Sequence, residues 1–200
     1  MKPVRIVIFA KAPLPGFAKT RLVATLGAQG AADLAHQLMQ QMLEQALAAR
    51  LGPVELCATP SASDPVWQTF DLPTGLQLTD QGEGDLGERM ARAARRVLAD
   101  GESILLVGTD CPALGAAQLQ QAAAALQHAD AALIPAFDGG YVLLGLNRFD
   151  SAVFSNMVWS TDNVASETLR RLQQLAWKVH KLAPLHDIDE PDDLRWLAAQ

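Results

Sequence analysis

Short apolar runs alternate with stretches of helical periodicity along most of the chain, and this alternation limits what it can fold into. Val4–Ala10 (VRIVIFA), 54–58 (VELCA), 76–79 (LQLT), 103–108 (SILLVG), 132–136 (ALIPA) and 141–146 (YVLLGL) read as strands, with another near 177–182. Between them, Leu34, Leu38, Met42 and Leu47 mark a helix over 28–50 that Gly52-Pro53 stops. Residues 60–74, rich in Pro, Ser, Asp and Thr, read as loop with at most one helical turn. Leu86, Met90, Ala93, Ala94 and Val97 mark a second helix over 85–99, and further helices are expected near 116–127, 163–175 and 191–199. Strands that alternate with helices predict an α/β fold, a mostly parallel mixed sheet with helices on both faces. The run 141–146 follows 132–136 with no room for a helix, so it runs antiparallel or leaves the sheet. No repeat or linker divides the 200 residues, and a single domain is expected.

Ligands in such sheets bind beyond the carboxyl ends of the strands, so the residues after each strand carry the functional reading. The first such segment is FAKAPLPGFAKTRL (9–22). It gathers Lys11, Lys19 and Arg21 around Pro13, Pro15 and Gly16 in a chain whose net charge is -6. A cationic loop in an acidic protein fits a small phosphate-bearing anion, with Thr20 near the start of a helical turn; the alternative is a solvated basic loop. It is not a Walker A loop, whose glycines and Gly-Lys-[Ser/Thr] spacing are missing. The acidic balance argues against a nucleic-acid duplex as partner.

GTDCP (108–112) places Asp110 where the clearest strand stops, in position to ligate a hard cation such as Mg²⁺ or Mn²⁺ or to cap a turn. In HDIDEPDDL (186–194), Asp187 and Asp189 are two apart and share one side of an extended backbone. Asp189 before Glu190-Pro191 is equally suited to cap a helix. FDGGY (137–141) is either a hairpin turn or a place where backbone approaches a ligand, with Asp138, Gly139, Gly140 and Tyr141 as contacts. GEGDLG (82–87) matches G-x-G-x-x-G formally, but it does not follow the first strand, and Glu83 and Asp85 would repel a pyrophosphate. Gly84, Asp85 and Gly87 are left as a helix cap or as contacts to a base or sugar. Trp159 reads as core, with Ser160 as a cap or a ligand hydroxyl.

Cys57 and Cys111 are far apart and in no metal-ligand spacing, consistent with reduced thiols in a cytoplasmic protein. No apolar stretch suits a signal peptide or a membrane span, so no membrane association is expected. No histidine or cysteine belongs to a recognisable nucleophile triad.

Taken together, F-A-K-x-P-x-P-G-x-x-K-T-R-L, G-D-L-G-E-R-M, G-T-D-C-P, D-G-G-Y and D-x-D-x-P-x-D-L, in this order, resemble the DUF2064 family. That family is glycosyltransferase-like and lies within the nucleotide-diphospho-sugar transferase superfamily. The resemblance implies a Rossmann-like GT-A fold that binds a nucleotide with Mg²⁺ or Mn²⁺. It implies that Lys11, Pro15, Gly16, Lys19, Thr20 and Arg21 cradle the phosphates, with Lys19, Arg21 and Asp110 acting in catalysis. Gly84, Asp85 and Gly87 would lie near the base or ribose, and Asp110, Asp189 and less directly Asp187 would ligate the metal. Asp138, Gly139, Gly140, Tyr141, Trp159 and Ser160 would face the acceptor. Thr109-Asp110-Cys111 offers one carboxylate where many glycosyltransferases offer two. Three functions therefore stand: glycosyl transfer from a nucleotide-sugar to a small-molecule acceptor, nucleotidyl transfer from a nucleoside triphosphate, and nucleotide binding without turnover. Nothing in the sequence specifies an oligomeric state.

Overall fold

In a computed structural model, which describes residues 2–198, the apolar runs assemble into one sheet. Its strands are β1 (Val4–Lys11), β2 (Val54–Thr59), β3 (Gln77–Asp80), β4 (Ser103–Val107), β5 (Ala131–Pro135), β6 (Tyr141–Leu146) and β7 (Val179–Lys181). Among the described residues they lie in the order β3-β2-β1-β4-β6-β5-β7. Only β6 runs against the others: it inserts between β4 and β5 and pairs with both antiparallel. The sheet is thus the mostly parallel, mixed one expected.

Alternation along β1 shows how the two faces are filled. Ile6, Ile8 and Ala10 pack with Met39 and Leu43 of α1 (Val23–Ala48) and Leu119 of α3 (Ala116–Ala125). Val7 points the other way, into a core with Met90 and Ala94 of α2 (Leu86–Ala99) and Leu172 of α4 (Val164–Gln174). Each fully buried Ile or Leu in these layers contributes roughly 1.5–3 kcal/mol.

Three boundaries differ from the sequence reading. α1 begins at Val23, but Gly27 has φ 71 and breaks it, so the regular part starts where the periodicity does. The last helix is 3-10 over Pro191–Ala198, and Ala199 of the expected segment lies outside the described residues. The final strand is cut to Val179–Lys181, because Trp177 is buried in the α2–α4 core instead of continuing the ladder.

This topology brings the ends of β1 through β5 and the start of β6 to one edge. All the segments singled out by sequence open onto it.

Candidate functional site at the carboxyl edge of the sheet

After β1, the chain turns through Gly16 (φ 73) and Lys19 (φ 50) into a 3-10 turn, Thr20–Leu22, that leads into α1. The left-handed backbone at Lys19 is uncommon for a residue with a side chain. Its side chain, only 6% exposed, folds back under the loop. The ammonium forms a salt bridge with Asp110 and another with Asp189 at 3.0 Å, and donates to the Ile188 carbonyl. An ammonium has three donors, and all three are spent. As placed, Lys19, expected among the phosphate ligands, knits two acidic segments together.

The backbone makes this convergence. Ile188, fully buried, donates its N–H to the Asp110 carbonyl at 2.8 Å, which sets 187–189 beside the end of β4. Among the described residues the Asp189 carboxylate pairs with Lys19. Asp193, in the first turn of the last helix, reaches back and accepts from the N–H groups of Asp189 and Glu190 at 3.1 and 2.8 Å.

Charge is unbalanced here. Burial raises the Asp110 carboxyl, Lys19 opposes the rise, and Asp189 adds to it. Burial also works against the Lys19 ammonium, yet Asp110 and Asp189 raise its proton affinity overall. Burial, then the neighbouring Asp138, Asp189 and Asp110, pushes Asp187 up to about 7. Four carboxylates thus act on one another with a single buried ammonium among them. Among the described residues, no three His, Cys, Asp or Glu side chains are gathered tightly enough to hold a metal by themselves. Mg²⁺ and Mn²⁺ sites commonly need only one or two carboxylates, the rest coming from water and phosphate. An all-oxygen donor set with surplus negative charge fits such an ion, and Asp110 and Asp189 are the residues that would hold it.

The other expected residues fall into place as follows. Lys11 ends β1, exposed, and is near enough to Asp110 to bear on its proton affinity. Pro15, Gly16 and Thr20 are exposed along the loop, and Arg21 is half-exposed with Glu190 at 3.3 Å. Asp85 forms a reciprocal cap with Glu88 at 2.8 and 2.9 Å, and Arg89 holds the Gly84 carbonyl at 2.8 Å. Helix capping thus accounts locally for Gly84 and Asp85. Gly87 is needed for close packing, since a Cβ there would lie 2.7 Å from the Phe154 carbonyl and 2.9 Å from the Trp159 ring.

In the 137–141 turn, Asp138 accepts from the Gly140 N–H at 2.7 Å, and Gly139 (φ 93) abuts the backbone of Asp162. Tyr141, expected to face the acceptor, has its hydroxyl 3.9 Å from the Met90 sulfur, and burial raises its proton affinity. Trp159 packs with the same core, its indole N–H buried without a partner, while Ser160 (φ 60) is exposed.

Gln81 was not singled out by sequence. It is buried at the end of β3 and donates to the carbonyls of Ala10 and Cys57 at 3.1 and 3.0 Å, tying three strand ends together. A glutamine before a Gly-rich turn carries no signal that would mark it.

A family model described as "Uncharacterized protein conserved in bacteria (DUF2064)" matches residues 42–161. A Desulfovibrio desulfuricans protein proposed to be a nucleotide-diphospho-sugar transferase superposes with a TM-score of 0.90 at 34% identity, over 98% of this chain and 87% of that one. More distant structures share the fold. For 4-diphosphocytidyl-2C-methyl-D-erythritol synthase from Anaerococcus prevotii the TM-score is 0.62 at 11% identity, covering 99% and 97% of the two chains. For Rv0371C of Mycobacterium tuberculosis in complex with manganese it is 0.54 at 16% identity, covering both chains fully (100% and 100%). A search of the curated proteins returned no match. With its sheet order, its ordered motifs and these matches, the chain belongs to the DUF2064 family and has the nucleotide-diphospho-sugar transferase fold.

Proposed function

We propose that this chain is a metal-dependent transferase that takes a nucleotide-sugar as donor and passes the sugar to a small-molecule acceptor. The observation that carries this reading is the convergence of Asp110 and Asp189 on Lys19 at the carboxyl edge, beside the cationic segment 11–21. The 34%-identical relative proposed to be a nucleotide-diphospho-sugar transferase supports it, as does the manganese complex of a protein with the same fold.

Lys11 and Arg21, both accessible, would meet the diphosphate with charge-assisted hydrogen bonds. Asp110 and Asp189 would hold Mg²⁺ or Mn²⁺, which would supply positive charge to the departing diphosphate. Lys19 keeps the two carboxylates at a fixed separation before the ligand arrives, a form of preorganisation. Asp138 and Ser160, both exposed, would meet the acceptor. Among the described residues no helix is long and apolar enough to cross a membrane.

A second reading, nucleotidyl transfer from a nucleoside triphosphate, is suggested by the accessible cations Lys11 and Arg21 and by the cytidylyl chemistry in the name of the Anaerococcus relative. A thermal-shift panel separates the two. A ligand at 100 times its Kd adds about 2.7 kcal/mol. Mn²⁺-dependent stabilisation by a nucleotide-sugar, absent in Asp110→Ala, is the expected outcome. Preference for a triphosphate would establish the second reading. No shift with any nucleotide would overturn both, and with them any non-catalytic nucleotide-binding role.

A further inference from the structure

Next to the carboxylates runs a ladder of rings that the reading above does not use. Phe137 and His186 stack with centroids 4.0 Å apart and planes 15° from parallel. His186 stacks in turn on Trp196 at 3.9 Å and 12°, and the Arg195 guanidinium lies 5.1 Å from the Trp196 centroid. Backbone pairing makes the ladder: Ala136 bridges Leu185 in parallel, and Phe137 donates its N–H to the Leu185 carbonyl at 3.1 Å. The next residues along these two segments are Asp138 and Asp187, whose charges act on each other.

Trp196 anchors the inner end of the ladder against a small core with Leu22, Leu34 and Ile188. Phe137 forms the outer end and is 60% exposed. A lone exposed ring needs no explanation. This one is different, because two further rings behind it fix its plane and its neighbour is a carboxylate with an oxygen to spare. Asp138 uses Oδ1 for the Gly140 N–H, and its second oxygen can accept from a ligand hydroxyl.

We infer that the open face of Phe137, backed by His186 and Trp196, is the acceptor platform and takes a polyhydroxylated ring such as a pyranose. The C–H face of such a ring covers the aromatic face, and its hydroxyls donate to Asp138. A flat apolar surface beside the Asp138 carboxylate suits a neutral ring with several O–H donors and disfavours an anionic acceptor. His186 is a positioning residue in this arrangement, since it fixes the plane of Phe137. The inference rests on the carboxyl edge being a nucleotide and acceptor site, and it names the class of acceptor.

The test uses saturation-transfer NMR on the full chain with methyl β-D-glucopyranoside, methyl β-D-galactopyranoside and methyl α-D-mannopyranoside, each with Mg²⁺ and a nucleoside diphosphate present. At least one pyranoside is expected to bind with saturation focused on its ring C–H protons. Phe137→Ala should weaken it about 3- to 10-fold, while Phe137→Trp, which keeps a flat face, should hold it within about 2-fold. Phe137→Leu should behave like the alanine variant. Thermal shifts with the nucleotide and Mn²⁺ should be the same in all variants, so failure of nucleotide binding in the wild type is read separately as failure of the proposed function. The inference is overturned if no pyranoside binds while the nucleotide does, or if Phe137→Ala or Phe137→Leu binds like the wild type. It is also overturned if sedimentation shows a dimer that Phe137→Ala dissociates, because the ring would then serve a second copy of the chain.

Discussion

The Lys19 ammonium lies 3.0 Å from a carboxylate oxygen of Asp189, although 170 residues separate the two in the chain. That ion pair, shared with Asp110, links the loop after β1 to the segment before the last helix. It closes the carboxyl edge of the sheet around a surplus of negative charge.

Replacing Lys19 with Met should therefore destabilise the fold by leaving Asp110 and Asp189 facing each other uncompensated. Loss of one partner from a fully buried pair costs about 3–5 kcal/mol. Here the carboxylates are 45% and 40% exposed, so water shares the burden. A cost of about 1–2 kcal/mol is expected, read as a Tm lowered by roughly 2–8 °C in calorimetry. Added Mn²⁺ with a nucleoside diphosphate should recover more stability in the variant than in the wild type. An unchanged Tm would show that the ammonium is incidental.

Gly139→Ala and Gly16→Ala form a contrast. At Gly139 (φ 93) a Cβ would overlap the Asp162 carbonyl oxygen, whereas at Gly16 (φ 73) nothing lies within 4 Å. Strain plus overlap should cost the first variant about 2–4 kcal/mol, and strain alone should cost the second about 1 kcal/mol. Urea unfolding of the two would check this. Equal losses would mean the 137–141 turn can move away from 162, contrary to the packing described.

Glu167 provides an acid-sensitive tether. Hydrogen bonds from Arg170 at 2.6 and 2.7 Å and Arg171 at 2.7 Å hold its carboxyl down to about 2. Arg171 in turn donates to the carbonyls of Ala152 and Asn156 at 3.0 and 3.1 Å, which ties down the segment opposite α2. The folded value is below the unfolded one of about 4.3, so this stabilisation is complete above roughly pH 5. It is lost as pH falls toward 2. Glu167→Gln should flatten the dependence of stability on pH across that window and leave the slope near neutrality unchanged. A wild-type slope retained in the variant would remove Glu167 from the account.

Burial pushes the Cys57 and Cys111 thiols up to about 11, with 1% and 6% exposure. Neither should react with a disulfide reagent at pH 8 in the native chain, and both should react after unfolding. Fast native labelling of Cys111, which adjoins Asp110, would mean that the end of β4 opens readily.

The layers were legible in the sequence because short β-branched runs and 3.6-residue periodicity are local signals. The same holds for Asp85, whose cap partner Glu88 is three residues away. What escaped was long-range. β6 could be read as antiparallel or outside the sheet, and its insertion between β4 and β5 depends on pairings across the whole chain. The pairing of Lys19 with Asp110 and Asp189 was hidden in the same way, because these partners come from 91 and 170 residues later. Phe137, His186 and Trp196 are three isolated rings in sequence, and only the Ala136–Leu185 bridge brings the first two into a stack.

The central claim, that Asp110 and Asp189 hold a divalent cation together with a nucleotide, is tested most directly by paramagnetic resonance of Mn²⁺. Titrating wild type, Asp110→Asn and Asp189→Asn with Mn²⁺ and a nucleoside diphosphate reads free ion from the signal of its hydrated form. Wild type should remove about one Mn²⁺ per chain, and only when the nucleotide is present, because two carboxylates need phosphate oxygens to complete the ion's shell. Both variants should leave the signal free while keeping their folded circular-dichroism spectra. Nucleotide-dependent Mn²⁺ binding as tight in Asp110→Asn as in wild type would contradict the account.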